Sequence, residues 1–184
     1  MARLEYLAMG PPDPLSRIKW LCHFTDKRNL PSILEMGGLW STAKLREMGV
    51  KDFHPGGNEH SLNADQMFGM DQYVHLCFKG NHPMEYLAKQ DSRIQKTLWL
   101  YIDDAASVLK MDGVLYCPGV SNKSGMETCT IEEARNKIDY VALYEYLDWR
   151  VSENYLRRLA AEKCEILVPD HLPLKYFKKY LPND

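Results

Sequence analysis

Apolar and polar positions along this chain mark out short strands and short helices in mixed order. Residues 18–24 have β character, and Thr25 or Asp26 is placed to cap a helix through residues 29–36 that Gly37 and Gly38 stop. A second short helix is predicted over 42–48. From 49 to 71 the sequence turns polar and glycine-rich around Pro55, Gly56, Gly57 and Asn58, a long connection of the kind that serves function when it is ordered. Strands follow at 73–78 and 97–102, with a helix entered through Pro83 between them, over 83–90. Residues 114–117 read as a short strand leading into the turn-forming stretch 118–125. Beyond it, 131–137 reads as helix, 141–147 as strand or helix, 153–163 as helix, 164–169 as strand and 174–180 as a closing helix.

Without a regular strand–helix–strand alternation, this order predicts an α+β fold rather than a doubly wound parallel sheet. Residues 1–17, interrupted by Gly10, Pro11, Pro12 and Pro14, form an N-terminal arm, and 18–184 form a single domain. A chain of 184 residues with 45% apolar residues suffices for one sizeable core and is short for two.

Charge changes the picture only locally. The formal net charge of −2 gives no global attraction to a polyanion. Within 150–180, however, Arg150, Arg157, Arg158, Lys163, Lys175, Lys178 and Lys179 outnumber Glu153, Glu162, Glu165 and Asp170. That run is either a solvated helix face or a grip for nucleic acid. The five cysteines at 22, 77, 117, 129 and 164 form no C-x-x-C pair and read as reduced core thiols of a cytosolic protein. The first twenty residues contain Glu5, Asp13 and three prolines and lack the apolar run of a secretory signal, and no stretch approaches the roughly 20 apolar residues of a membrane span. A monomer is expected.

The usual cofactor motifs are absent: no G-x-G-x-x-G follows a strand, and there is no P-loop, nucleophile elbow or H-E-x-x-H. His75 and Cys77 share a strand face and leave a metal site open as an alternative to ordinary core packing. The most informative residue is Glu165, an acid inside the apolar run Cys164, Ile166, Leu167, Val168. Period-two alternation puts it on one face with Leu167 and puts Cys164, Ile166 and Val168 on the other. A carboxylate there is paired, used, or at an edge facing water.

Several blocks in order resemble the DarT family of NAD-dependent nucleic-acid ADP-ribosyltransferases. His23, Phe24, Thr25 and Asp26, then Asn29, Leu30, Pro31 and Ser32, then Gly38, Leu39 and Trp40 are similar to its opening motif. Residues 73–78 with His82, Pro83 and Met84 resemble its central strand and Pro-Met element. Ile138, Asp139 and Tyr140 resemble a late Ile-Asp-aromatic step, and residues 160–168 resemble the segment with the catalytic glutamate. The resemblance implies a split antiparallel β-sandwich with peripheral helices and NAD as co-substrate in the cleft between two small sheets. It implies Glu165 as the catalytic carboxylate, and His23, Phe24, Thr25 and Ser32 as the NAD contacts. Single-stranded DNA is the expected acceptor, met by His75 and Met84 and by the basic pair Arg157 and Arg158. A cognate antitoxin is the expected partner, and the protein a toxin.

The family's catalytic arginine has no counterpart between Arg46 and Tyr73, and Arg46 is the nearest candidate. Asn58, His60, Asn63 and Asp65 occupy that interval instead. Three alternatives stay open: the same chemistry on RNA, an NAD- or nucleotide-binding module without transfer activity, and a metal-dependent nuclease.

Overall fold

A computed structural model describes residues 13–177. Five antiparallel strands form the main sheet: β1 (Leu21–Asp26), β3 (Tyr73–Cys77), β4 (Thr97–Ile102), β5 (Leu115–Cys117) and β6 (Glu165–Pro169), in the order β4-β1-β3-β6-β5. A second, two-stranded sheet pairs β2 (Gly38–Trp40) with β7 (His171–Pro173). The helices are α1 (Leu30–Glu35), α2 (Thr42–Glu47), α3 (Glu59–Met67), α4 (Pro83–Gln90), α5 (Ala105–Val108), α6 (Ile131–Lys137), α7 (Tyr140–Tyr144) and α8 (Ser152–Ala161). The α+β expectation and the antiparallel two-sheet arrangement are both realised.

The elements form where local chemistry directs them. Asp26 ends β1 and caps the turn into α1, accepting from the Arg28 N–H at 2.8 Å and from the Arg28 guanidinium. Pro83 sits in the first turn of α4, whose N-cap is His82. Thr130 and Glu133 close a capping box on α6. In β6 the alternation holds: Ile166 and Val168 belong to the main apolar core with Leu21, Leu76 and Leu100, while Glu165 is on the opposite face.

Several boundaries differ from the sequence reading. Residues 18–20 precede the strand instead of starting it, although Ile18 is buried. β2 and β7 are three residues each, too short for any period to show. Gly38 opens β2 at φ +155°, and a Cβ there would meet the Leu172 carbonyl oxygen at 2.2 Å, so glycine is required by the close pairing as well as by the helix stop. α3 lies inside the expected polar connection; it buries no residue fully and so carries no apolar stripe. The expected closing helix is a single 3₁₀ turn, Leu174–Tyr176, after which Phe177 extends and bridges to Ile102. Residues 178–180 of that expectation, with Lys178 and Lys179, lie outside the described residues. Of the expected N-terminal arm, residues 1–12 lie outside them too. Residues 14–17 form a 3₁₀ turn joined to the body by ion pairs of Asp13 with Arg135 and of Arg17 with Glu145. Among the described residues, no helix is long and apolar enough to cross a membrane.

Candidate active site

The site grows from a parting of strands. β1 pairs with β4 along its whole length, from Leu21↔Ile102 to Asp26↔Thr97, but it meets β3 at the single step Cys22↔Cys77. Beyond that step the ladder is replaced by a side chain: the His23 Nδ1 lies 2.9 Å from the His75 carbonyl oxygen. A carbonyl can only accept, so the network assigns the proton to Nδ1 and leaves Nε2 as an acceptor. Burial, with the charge on His75, pushes the His23 pKa down to about 4, so the ring is neutral.

One cleft opens there. Its lining includes His23, Phe24, Thr25, Ser32, His75, Met84 and Glu165, so seven of the residues expected from the sequence converge. Trp40 and Leu39 bring the second sheet to the same wall, and residues 53–57 of the polar connection form another. Asn29 pins that connection: its amide donates to the His54 carbonyl and to Thr25 Oγ1, each at 2.9 Å, and its side-chain oxygen accepts from the His54 N–H.

Glu165 is the charged centre. It sits opposite Cys77 on β3 and Cys117 on β5, a register that puts His75, two residues before Cys77, diagonally across from it on the same face. His75 Nδ1 is 3.4 Å from Glu165 Oε2, and the Ser121 N–H donates to the same oxygen at 3.1 Å. His75 Nε2 donates to the Met70 carbonyl at 3.0 Å. Burial alone would discharge this imidazole, but the hydrogen bond and charge of Glu165, aided by Asp65, raise its pKa to about 9. Burial likewise favours the neutral acid at Glu165, yet His75 and Ser121 outweigh it and hold the carboxyl below its ordinary value. The pair is therefore a buried carboxylate beside an imidazolium. The neighbouring thiols of Cys22 and Cys117 are pushed up to about 12 by burial and stay protonated.

Three expected site residues stand apart from the cleft. Arg46 on α2 gives its guanidinium to Asp71 at 3.1 Å and is not part of the lining. Arg157 on α8 forks onto Asp139 at 2.8 and 3.2 Å, and Arg158 pairs with Glu162 one turn on at 3.0 Å. All three have an acid of their own, so the geometry separates them from Glu165. His75 and Cys77 share the face expected of them, but His75 is engaged as above; among the described residues, no group of three or more His, Cys, Asp or Glu side chains is arranged to hold a metal ion.

Ser121 and Asn122, in the turn-rich stretch after β5, escaped the sequence reading, whereas Asp65 on α3 was noted only as one of the polar residues in the interval without an arginine and was given no role. His82 had a signal, the histidine before Pro83, but its place is structural as well: Nδ1 accepts from the Met84 N–H and the ring stacks on Phe24 at 5.9 Å.

This split, two-sheet architecture is shared with solved ADP-ribosyltransferases. The structure of Thermus sp. 2.9 DarT in complex with ADP-ribosylated ssDNA matches with a TM-score of 0.64 at 18% identity, covering 87% of this chain and 79% of that one. The same protein in complex with NAD+ matches at 0.58 and 18%, covering 92% and 82%. Thermosipho africanus DarTG in complex with ADP-ribose matches at 0.60 and 19%, covering 87% of this chain but 43% of that one. These likenesses are of fold. A search of curated proteins finds no match. The family model described as "ssDNA thymidine ADP-ribosyltransferase, DarT" matches residues 22–180, and the chain belongs to that family. It is an ADP-ribosyltransferase by that membership.

Proposed function

We propose that the protein uses NAD to transfer ADP-ribose onto a base of single-stranded DNA, releasing nicotinamide, and that Glu165 is the residue on which the chemistry turns. The observation that carries this reading is the buried Glu165, held between His75 and the Ser121 N–H in a cleft it shares with His23, Thr25 and Ser32. Family membership supports the reaction class, and NAD+ and ADP-ribosylated ssDNA in complexes of structural neighbours support the substrates.

The geometry suits the reaction. When nicotinamide departs, the positive charge it bore in NAD moves to ribose C1′, which passes through an oxocarbenium-like state. A carboxylate already ionised and fixed before the reaction stabilises that charge without reorganising, an effect of roughly 3–4 kcal/mol for groups of this kind. His23, neutral and with Nε2 accepting, suits a ribose hydroxyl. Thr25 and Ser32 offer hydroxyls, and Phe24 its backbone. The acceptor base enters beside His75 and Met84. Unpaired strands are favoured because a stacked base hides the edge to be modified, and a net charge of −2 offers little with which to offset extrusion.

Modification of unpaired bases blocks copying of the strand, so a host making this enzyme needs protection. We infer a toxin of a toxin-antitoxin pair, acting as a monomer in the cytoplasm, with the antitoxin reversing or blocking the modification. The deciding experiment is mass spectrometry of matched single-stranded DNA, duplex DNA and RNA oligonucleotides incubated with NAD and the protein, with Glu165→Gln as control. A mass gain of one ADP-ribose on single-stranded DNA, reduced about 10²–10³-fold in the variant, is expected. Modification of RNA alone, or a folded Glu165→Gln protein of normal activity, overturns it.

A further inference from the structure

The cleft holds a second carboxylate whose environment is the reverse of the first. Asp65 lines the same cavity, and its Oδ1 is buried with no hydrogen-bond partner among the described residues. Glu165, by contrast, has Oε2 engaged by the Ser121 N–H and by His75. Burial pushes the Asp65 carboxyl up, opposed by the charge of His75 and a hydrogen bond from Asn122 and helped by Glu165 and Asp71, whereas Glu165 is held down. Two acids in one site whose affinities for a proton are driven apart mark a division of roles.

Adjacent residues position both. The Ser121 N–H fixes Glu165, and the next residue, Asn122, donates to Ser61 Oγ at 2.8 Å. Ser61 lies four residues before Asp65 on α3, so the two share a helix face. One loop thus ties the helix bearing Asp65 to the strand bearing Glu165.

We propose that Asp65 is the general base that takes the proton from the acceptor-base nitrogen, leaving Glu165 to stabilise the ribosyl cation; this rests on the transfer activity proposed above. The bond between ribose C1′ and the nicotinamide nitrogen breaks, and its electron pair leaves on nicotinamide. The acceptor ring nitrogen, an imide N–H such as that of thymine, gives an electron pair to C1′. Its proton passes to the unengaged Asp65 oxygen and from there to water. A buried acceptor with no partner is costly at rest, and a substrate N–H satisfies it. Glu165 is a weaker candidate for this step because the donors that keep it ionised also lower its basicity.

The test uses the purified chain, NAD and a thymidine-containing single-stranded oligonucleotide, measuring oligonucleotide transfer and calorimetric NAD affinity together. Asp65→Asn is expected to reduce transfer about 10²–10⁴-fold with NAD affinity preserved. Asp65→Ala is expected to regain transfer when formate is added, since a small carboxylate fits the vacated space and a merely structural aspartate is not replaced in this way. Should the alanine variant fail to fold, the near-isosteric asparagine variant decides. Asp65→Asn protein that transfers at the wild-type rate, or that loses NAD affinity in step with transfer, overturns the assignment while the proposed function stands. A wild-type protein that transfers nothing overturns both.

Discussion

His75 and Glu165 face each other diagonally across β3 and β6, with Nδ1 3.4 Å from Oε2, and each holds the other in its charged form. The folded protein therefore binds the His75 proton more tightly than the unfolded chain does. A pKa raised from the ordinary 6.5 to about 9 contributes stability that is fully present below about pH 6.5 and is lost as pH rises through about 9. Urea denaturation at a series of pH values is expected to show wild-type stability falling across that window. His75→Gln should flatten the fall, and it should also weaken transfer by removing the cation that keeps Glu165 ionised. An equal slope in the variant places the titration elsewhere.

His23 behaves in the opposite sense. Its pKa is lowered to about 4, so it is neutral, and its Nε2 free to accept, at pH between about 5 and 8. His23→Ala is expected to weaken NAD binding by about 0.5–1.5 kcal/mol, up to roughly tenfold, the worth of one hydrogen bond. Calorimetric titration checks this. Unchanged affinity with a large drop in melting temperature would mean that its bond to the His75 carbonyl is its whole role.

How much of this was legible in the sequence depends on the range over which each feature is encoded. Glu165 stood out because an acid in an apolar strand is anomalous within five residues, and the segments of β1, β3 and β4 showed their β character over six or seven. Asp65 and Ser121 gave no such contrast, being polar residues among polar neighbours whose burial is imposed by elements distant in the chain. The partners of Arg46 and Arg157 are Asp71 and Asp139, 25 and 18 residues away, so no local pattern exposes them. The Arg158 to Glu162 pair, by contrast, has i,i+4 spacing and was open to reading. The three-residue β2 and β7 exist because the Gly38 backbone can approach Leu172, a property of tertiary packing rather than of propensity.

That approach makes Gly38 a sensitive position. Gly38→Ala introduces a methyl group 2.2 Å from the Leu172 carbonyl oxygen at φ +155°, where L-residues are strained. The expected cost is about 2–4 kcal/mol, read as a lower denaturation midpoint with unchanged slope. Because β2 also carries Leu39 and Trp40 to the cleft wall, NAD affinity should fall with it. Gly37→Ala is the useful contrast: its φ of +74° is also unfavourable, but nothing lies within 4 Å of the added carbon, so only the backbone cost of about 1 kcal/mol is expected.

The basic pair on α8 separates the sequence expectation from the structure. As a nucleic-acid grip, Arg157 and Arg158 would release counterions on binding, and removing both would lessen the salt dependence of single-strand binding by about 0.7 for each phosphate no longer neutralised. In the structure, however, Arg157 is forked onto Asp139, and Asp139 in turn caps α7 by accepting from the Ala142 N–H at 2.9 Å. Arg158 spends its charge on Glu162. Both pairs are partly exposed and therefore individually weak after solvent screening. The double variant Arg157→Ala/Arg158→Ala is expected to melt a few degrees lower, with the larger share from Arg157, while the slope of log affinity for a single-stranded oligonucleotide against log salt stays as in wild type. A flatter salt slope with an unchanged melting temperature would return these arginines to the nucleic-acid surface, with their acids serving only to hold them ready.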